Sequence, residues 1–269
     1  METLILTLKK EIDIKLEADV ITPDNFAGKS LEAIKALSVW QGPNALPLGD
    51  FFEVEGKSGN SAEETFIRIK GDASRIKQIG AGMSAGRIEI EGPVGMRVGA
   101  GMKGGELLVL GNADSWAGME MEGGLLHIKG NAGDHVGCAY RGSWHGMKGG
   151  RILIEGSARH QLGGGMDGGE ILVGGSVQHF CGIRQNGGLI VVKGGAFRGV
   201  GVEMKGGTIL ICGKIERFSP GFEAAGKETG LSFGELEYAG EFKKFLGDYA
   251  ISKRAKGVLY ANAAKNPKL

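Results

Sequence analysis

The sequence predicts a mainly β protein: a right-handed parallel β-helix of about seven coils, with a mixed N-terminal cap and a C-terminal α-helix. Three observations carry this. A thirteen-residue motif, G-x-x-M-x-G-G-x-[IL]-x-[IV]-x-G, recurs at 80–92, 99–111, 118–130, 144–156, 163–175, 182–194 and 201–213. Successive copies start 19 residues apart, except for one step of 26 between 118 and 144. The chain holds 51 glycines among 269 residues and 6 prolines. That excludes collagen and marks repeated backbone sites that reject a Cβ.

Residues 1–79 read as an α/β cap. Leu4, Leu6 and Leu8 alternate with polar residues, as do Ile12, Ile14 and Leu16, so each run predicts a half-buried strand. Thr22-Pro23 is a helix start, with Thr22 as cap and Pro23 in the first turn. Leu31, Ile34 and Leu37 follow at helical spacing after Ser30. Phe51–Val54 and Phe66–Ile69 predict further strands.

In residues 80–213 each Gly-Gly is followed by five residues of strand. Their second positions (Ile88, Leu107, Leu126, Ile152, Ile171, Ile190, Ile209) and fourth positions (Ile90, Val109, Ile128, Ile154, Val173, Val192, Ile211) form two inward columns with the β period of two. The linking segments add a smaller inward column, Val94, Ala113, Ala132, Ala158, Val177 and Ala196, and a closing one that includes Cys181. Met83, Met102, Met121, Met147, Met166 and Met204 are expected to fill the irregular corner volume. Gln185 takes the methionine's place in the sixth copy, Ala85 replaces a glycine in the first, and Trp144 opens the fourth. Gly86, Gly105, Gly124, Gly150, Gly169, Gly188 and Gly207 are expected to turn the chain at each corner, where positive φ suits glycine. At ~4.8 Å per coil the stack would stand ~34 Å tall, and parallel crossovers favour right-handed winding.

The third strand position should face outward, yet it holds Glu89, Leu108, His127, Leu153, Leu172, Val191 and Leu210. An outward ladder rich in Leu108, Leu153, Leu172, Val191 and Leu210 needs a cover. Residues 214–269 offer one, since Leu236, Phe242, Phe245, Leu246 and Tyr249 form an apolar stripe that predicts an amphipathic helix. Another subunit is the alternative cover. The segment around Tyr140, Arg141 and Trp144 is a second candidate interface, because a protrusion with these side chains suits an anchor.

The net charge of +1 and the absence of a polybasic block give no support to a nucleic-acid or anionic-membrane partner. No apolar run approaches the ~20 residues of a membrane span, and no signal peptide is read at the start. Three cysteines, Cys138, Cys181 and Cys212, without a close pairing motif predict a reduced, cytoplasmic protein.

Gly99-Ala-Gly101-Met-Lys-Gly104 and Gly163-Gly-Gly165-Met-Asp-Gly168 match the dinucleotide fingerprint, but a strand rather than a helix follows each. They read as structural turns. His160 and His179 share a column, and His135, Cys138 and His145 gather near the long step, yet none has zinc-ligand spacing. No nucleophile elbow appears. Arg87/Glu106 and Arg151/Glu170 read as a charge ladder between neighbouring strands. No catalytic, cofactor or metal residue is assigned to this chain.

The repeat, the 19-residue step and the segment Ile21-Thr-Pro-Asp-Asn-Phe-Ala-Gly-Lys-Ser30 resemble the C subunit of formylmethanofuran dehydrogenase over essentially the whole chain. The repeats are also similar to the C-terminal β-helix domain of the glutamate synthase large subunit. The resemblance implies a scaffold subunit of a complex that reduces CO2 with ferredoxin electrons and fixes it onto methanofuran. It implies a tungsto- or molybdopterin, iron–sulfur clusters and a binuclear metal centre in partner subunits, the last in an amidohydrolase subunit. The C subunit of a methylotroph formyltransferase/hydrolase complex, a glutamate-synthase-type module and an independent polysaccharide-acting β-helix enzyme are the other readings.

Overall fold

A computed structural model describes all 269 residues. The chain is mainly β. Its largest sheet has thirteen strands and includes every strand that follows a Gly-Gly pair of the repeat. Thr65–Lys70, Arg87–Ile90, Glu106–Val109, Leu125–Ile128, Arg151–Ile154, Glu170–Val173, Leu189–Val192 and Thr208–Ile211 lie side by side in sequence order, each parallel to the next. The register equals the repeat step: Ile88 faces Leu107, Leu107 faces Leu126, and Leu126 faces Ile152 across the long step. The parallel ladder begins before the first motif copy, at Thr65–Lys70, and the N-terminal strand Glu2–Leu8 extends it, with Leu4 opposite Ile67.

A second parallel ladder runs beside the first. It pairs Ala73, Val94, Ala113, Ala132, Ala158 and Val177 in turn, then continues through the three-stranded sheet Val177–His179, Ala196–Arg198 and Ile215–Arg217. The inward residues of both ladders and all six column methionines are buried in one continuous core. Gln185 stands in the methionine column and is buried too. Its amide nitrogen donates to the carbonyls of Gly187 and Gly188 at 3.0 and 3.1 Å, while its Oε1 has no partner.

The glycine pair has two separate reasons. The second glycine lies at φ between +75° and +81° in every copy. The first faces the preceding turn: a Cβ at Gly123 would stand 2.2 Å from the carbonyl oxygen of Lys103. Ala85 holds that place in the copy with no repeat before it. The long step has a definite place as well. Gly137, not Trp144, occupies the first-glycine position of the fourth copy: its N–H donates to the Ala117 carbonyl at 2.9 Å and it accepts from Met147 N–H at 3.0 Å. The seven extra residues therefore sit between Gly137 and Met147, inside the motif rather than before it. Spacing alone does not show this, because the strand end of the motif aligns equally well in either case.

The N-terminal helices are Pro23–Phe26 and Leu31–Lys35. Thr22 Oγ1 accepts from Asn25 N–H at 3.1 Å, and Ser30 Oγ accepts from Ala33 N–H at 3.2 Å. The expected strand over Ile12–Leu16 does not form. A bend at Asp13–Ile14 breaks the alternation, so Ile12 and Leu16 are buried while Ile14 is 61% exposed.

The expected C-terminal helix is absent. Glu223–Phe233 and Leu236–Gly247 form an antiparallel hairpin, and Leu236–Gly247 pairs onward with Gly257–Asn262. Gly257–Asn262 in turn lies parallel to Thr208–Ile211, with Leu259 opposite Ile209. The backbone groups of Thr208–Ile211 would otherwise be an open edge, and this pairing satisfies them. The apolar spacing that suggested one helix face instead serves two faces of a strand.

Candidate functional site

The outward ladder is covered at one end by the chain itself. Leu189, Val191, Leu210, Leu231, Phe242 and Tyr260 form a second apolar cluster, with Leu172, Cys212, Phe233, Leu236 and Tyr238 packed against it. Val191 and Leu210 are thereby shut off from solvent. Towards the other end Leu108, His127 and Leu153 stay half-buried. Their neighbours are polar: His127 Nε2 lies 2.9 Å from Glu155 Oε1, and Arg68 Nε 3.0 Å from Glu89 Oε1. The cover is a β-hairpin rather than the expected helix; the alternation of Leu231/Phe233 and of Leu236/Tyr238 around Gly234 is the sequence signal for it.

The inserted segment lies between Gly137 and Met147, ahead of the strand Arg151–Ile154. Tyr140 is 47% and Trp144 59% exposed. The Arg184 guanidinium lies 4.2 Å over the Trp144 ring and pairs with Glu203 at 2.7 Å; Arg97 lies 5.5 Å over Tyr140. Glu120 Oε1 accepts from Tyr140 N–H at 2.9 Å, and His145 Nδ1 lies 2.7 Å from Asp167 Oδ2. Behind the segment is a cavity of about 200 Å³ bounded by Trp116, His135, Cys138, Arg141 and Trp144. His135 stacks flat on Trp116 at 4.3 Å. Both rings are carried on residues at positive φ, a strained setting for side chains of this size.

Two titratable groups that bound the cavity, Cys138 and His135, are shifted toward their neutral forms. Burial pushes the Cys138 thiol up to about 12, even though Gly164 N–H donates to its sulfur. Burial also pushes Cys181 up to about 12 and raises Cys212. A nucleophilic cysteine needs the opposite shift. Burial holds the His135 imidazole below its ordinary value, opposed by Asp134 and reinforced by Arg141 and His160. No group of three or more His, Cys, Asp or Glu side chains is placed to hold a metal ion. His160 and His179 do meet, with ring centroids 4.8 Å apart.

The two G-x-G-x-x-G matches are turns leading into Glu106–Val109 and Glu170–Val173. A strand that follows such a loop offers no helix N-terminus to a phosphate. Arg151 pairs with Glu170 at 2.8 Å as the charge ladder required. Arg87 does not pair with Glu106; it turns to Glu89 at 3.4 Å and lies 5.1 Å over Phe66. Phe66 is the neighbour on the preceding strand, and its ring draws the guanidinium the other way.

No helix is long and apolar enough to cross a membrane. No family model matches the chain. Among curated proteins it is 81% identical, over all of its 269 residues and 89% of the relative, to the C subunit of molybdenum-containing formylmethanofuran dehydrogenase 1 from Methanosarcina barkeri. Over 96 residues, 36% of each chain, it is 47% identical to the C subunit of tungsten-containing formylmethanofuran dehydrogenase 2 from Methanothermobacter thermautotrophicus. Among solved structures it resembles a chain of the formyltransferase/hydrolase complex (FhcABCD) from Methylorubrum extorquens in complex with methylofuran, at a TM-score of 0.84 and 29% identity over 96% of this chain and 99% of that one. With every residue aligned to a relative at such identity, and the repeat register continuous through the fold, this chain belongs to the family of formylmethanofuran dehydrogenase C subunits.

Proposed function

We propose that this chain is a non-catalytic scaffold subunit of a cytoplasmic formylmethanofuran dehydrogenase complex. Its role is to hold other subunits, not to react. The observation that carries the reading is the inserted segment: Tyr140, Arg141 and Trp144 stand exposed, while behind them the Cys138 thiol is buried and pushed up to about 12 and the half-buried His135 imidazole is held below its ordinary value. Such a surface suits an interface anchor and not acid–base or nucleophilic chemistry. Leu108 and Leu153, which the hairpin leaves half-buried, extend the candidate surface.

Two parallel ladders that share the 19-residue register support a chain wound as a right-handed β-helix. In this reading 1–79 caps the stack, 80–213 forms its coils, and 214–269 closes the far end. The column methionines and second glycines are then structural. The tungsto- or molybdopterin, iron–sulfur clusters and binuclear metal centre reside in partner subunits: the pterin-bearing, iron–sulfur and amidohydrolase chains. A second reading is the C subunit of a formyltransferase/hydrolase complex, which the structural likeness to the Methylorubrum extorquens chain favours.

Purification of the complex through a tag on this chain tests both. The first reading expects partner subunits to co-elute with tungsten or molybdenum and with CO2-reducing activity, while the isolated chain has none. Activity of the isolated chain would overturn it. A complex that carries formyltransferase activity with neither metal supports the second reading.

A further inference from the structure

The three-stranded sheet Val177–His179, Ala196–Arg198 and Ile215–Arg217 turns Val177, Ala196 and Ile215 into the core. At the C-terminal ends of these three strands the 19-residue step stacks basic residue types. His179 faces Arg198, and Arg198 faces Arg217. His160 continues the column: His179 N–H donates to His160 Nδ1 at 3.4 Å. Arg198 Nε donates to His179 Nδ1 at 2.8 Å, which uses that nitrogen's lone pair and fixes a neutral imidazole.

Neither Arg198 nor Arg217 has a carboxylate within 4.0 Å; Glu216, beside Arg217 in the chain, is engaged by Lys214 at 2.6 Å, and Asp134, at the far end of the column beyond His160, lies 3.6 Å from Arg159. The same step elsewhere joins opposite charges, Arg151 with Glu170 and Arg184 with Glu203. Like charges on neighbouring strands destabilise a sheet, so this column departs from the chain's own pattern. Arg217 lies 5.9 Å over Phe197, and Arg198 lies 5.8 Å over Phe180. With Nε of Arg198 given to His179, its two terminal nitrogens remain to donate, and Arg217 has no side-chain acceptor, so each guanidinium can still take a carboxylate in two hydrogen bonds. Phe197 itself is 40% exposed.

We propose that this sheet face docks an acidic polypeptide segment of a partner subunit, with Asp or Glu carboxylates on Arg198 and Arg217 and an apolar side chain on Phe197. The inference rests on the subunit reading above. From His160 to Arg217 the column spans three strand gaps, about 14 Å, which matches about four extended residues and exceeds a single small anion.

Hydroxyl-radical footprinting of Phe197 tests it, comparing the isolated full chain with the complex purified through a tag on this chain. The expected result is about fivefold or greater protection of Phe197 in the complex, since a packed anchor loses its solvent contact. The double variant Arg198→Glu/Arg217→Glu is expected to retain partner subunits at least about tenfold less well, and Arg198→Lys/Arg217→Lys to fall between it and the wild type. If the Glu variant does not fold, the wild-type footprint decides alone. Unprotected Phe197 in an intact complex, or undiminished retention by a folded Glu variant, would overturn this inference and leave the subunit reading standing. Failure of any partner to co-purify with the wild type would overturn both. A labelled twenty-nucleotide oligo-uridine that binds the isolated chain more tightly than a labelled Glu-rich decapeptide would also overturn it, in favour of single-stranded nucleic acid.

Discussion

Phe242 and Phe245 lie three residues apart on one strand and are buried in different cores: Phe242 in the outer cluster with Val191 and Leu210, Phe245 in the main core with Phe218, whose ring centroid is 4.6 Å away. An odd separation on a strand sends side chains to opposite faces. The hairpin therefore closes the outer ladder and the end of the stack at once.

Phe242→Ala is expected to lower stability by about 3–5 kcal/mol, the usual range for emptying a buried Phe site. Hydrogen exchange in Glu223–Phe233 should rise and a dye for exposed apolar surface should bind. Phe245→Ala should cost a similar amount without exposing Val191 and Leu210. Equal exchange in the two variants would contradict the two-core arrangement.

The two kinds of glycine predict different costs. Gly82 has φ +68° and open space where a Cβ would stand, so Gly82→Ala is expected to cost about 1–2 kcal/mol from backbone strain alone. At Gly124 φ is +79°, and a Cβ would stand 2.7 Å from the Gly104 carbonyl carbon and from Met102 Cε. Gly124→Ala should cost at least about 2 kcal/mol more than Gly82→Ala, since overpacking adds to the strain. Urea denaturation of the two variants measures the gap.

Gln185→Met restores the column residue and removes a buried oxygen without a partner. Gly188 O keeps its strand bond from Thr208 N–H, so only the bond to Gly187 O is lost outright. A net gain of about 1 kcal/mol is expected, read as a higher Tm, because an unsatisfied buried acceptor costs more than one ordinary bond contributes.

Cys138 and Cys181, both pushed up to about 12 by burial, should stay inert to a thiol reagent at pH 8 in the folded chain. Cys212, only half-buried, should react first. Denaturant should release all three. Fast native-state labelling of Cys138 would show that the inserted segment opens readily.

His135 and His179 are held below the ordinary imidazole value, His135 by burial and His179 by burial with help from Arg198. The unfolded chain then binds more protons than the folded one as pH falls through about 6.5. The stability they contribute is present above that pH and is lost as pH falls below it. A Tm series from pH 7.5 to 5.5 should decline, and the double variant His135→Gln/His179→Gln should flatten it. Glu122, Glu155 and Glu228, lowered chiefly by bonds to lysines, add a separate loss nearer pH 4.

Much of the stack is legible in the sequence because its signals are local. Ile88 and Ile90 announce one face by parity, and the parity repeats in every copy. The glycine and methionine columns are equally readable, since backbone sterics and corner volume recur with the motif. The C-terminal stripe misleads because Leu236, Phe242, Phe245 and Leu246 fit helical spacing as well as they fit two faces of a strand, while Tyr249 lies in the turn after it. Within the candidate site, Tyr140, Arg141 and Trp144 stand out as residues outside the pattern. Of the basic column the sequence reading reached only His160 and His179; that Arg198 and Arg217 continue it 19 residues apart, without a carboxylate partner, is seen only once the strands are stacked.

The sequence by itself determined the repeat, its register and the inward columns, for these follow from side-chain period and from glycine's lack of a Cβ. Only the tertiary structure decided three things: that the extra residues fall between Gly137 and Met147, that the chain's own hairpin covers Val191 and Leu210, and that Arg198 and Arg217 share a face without a carboxylate. The physical reason is common to all three. Each depends on which backbone edge needs partners and on which strands lie side by side, and both are settled by contacts between residues far apart in the chain.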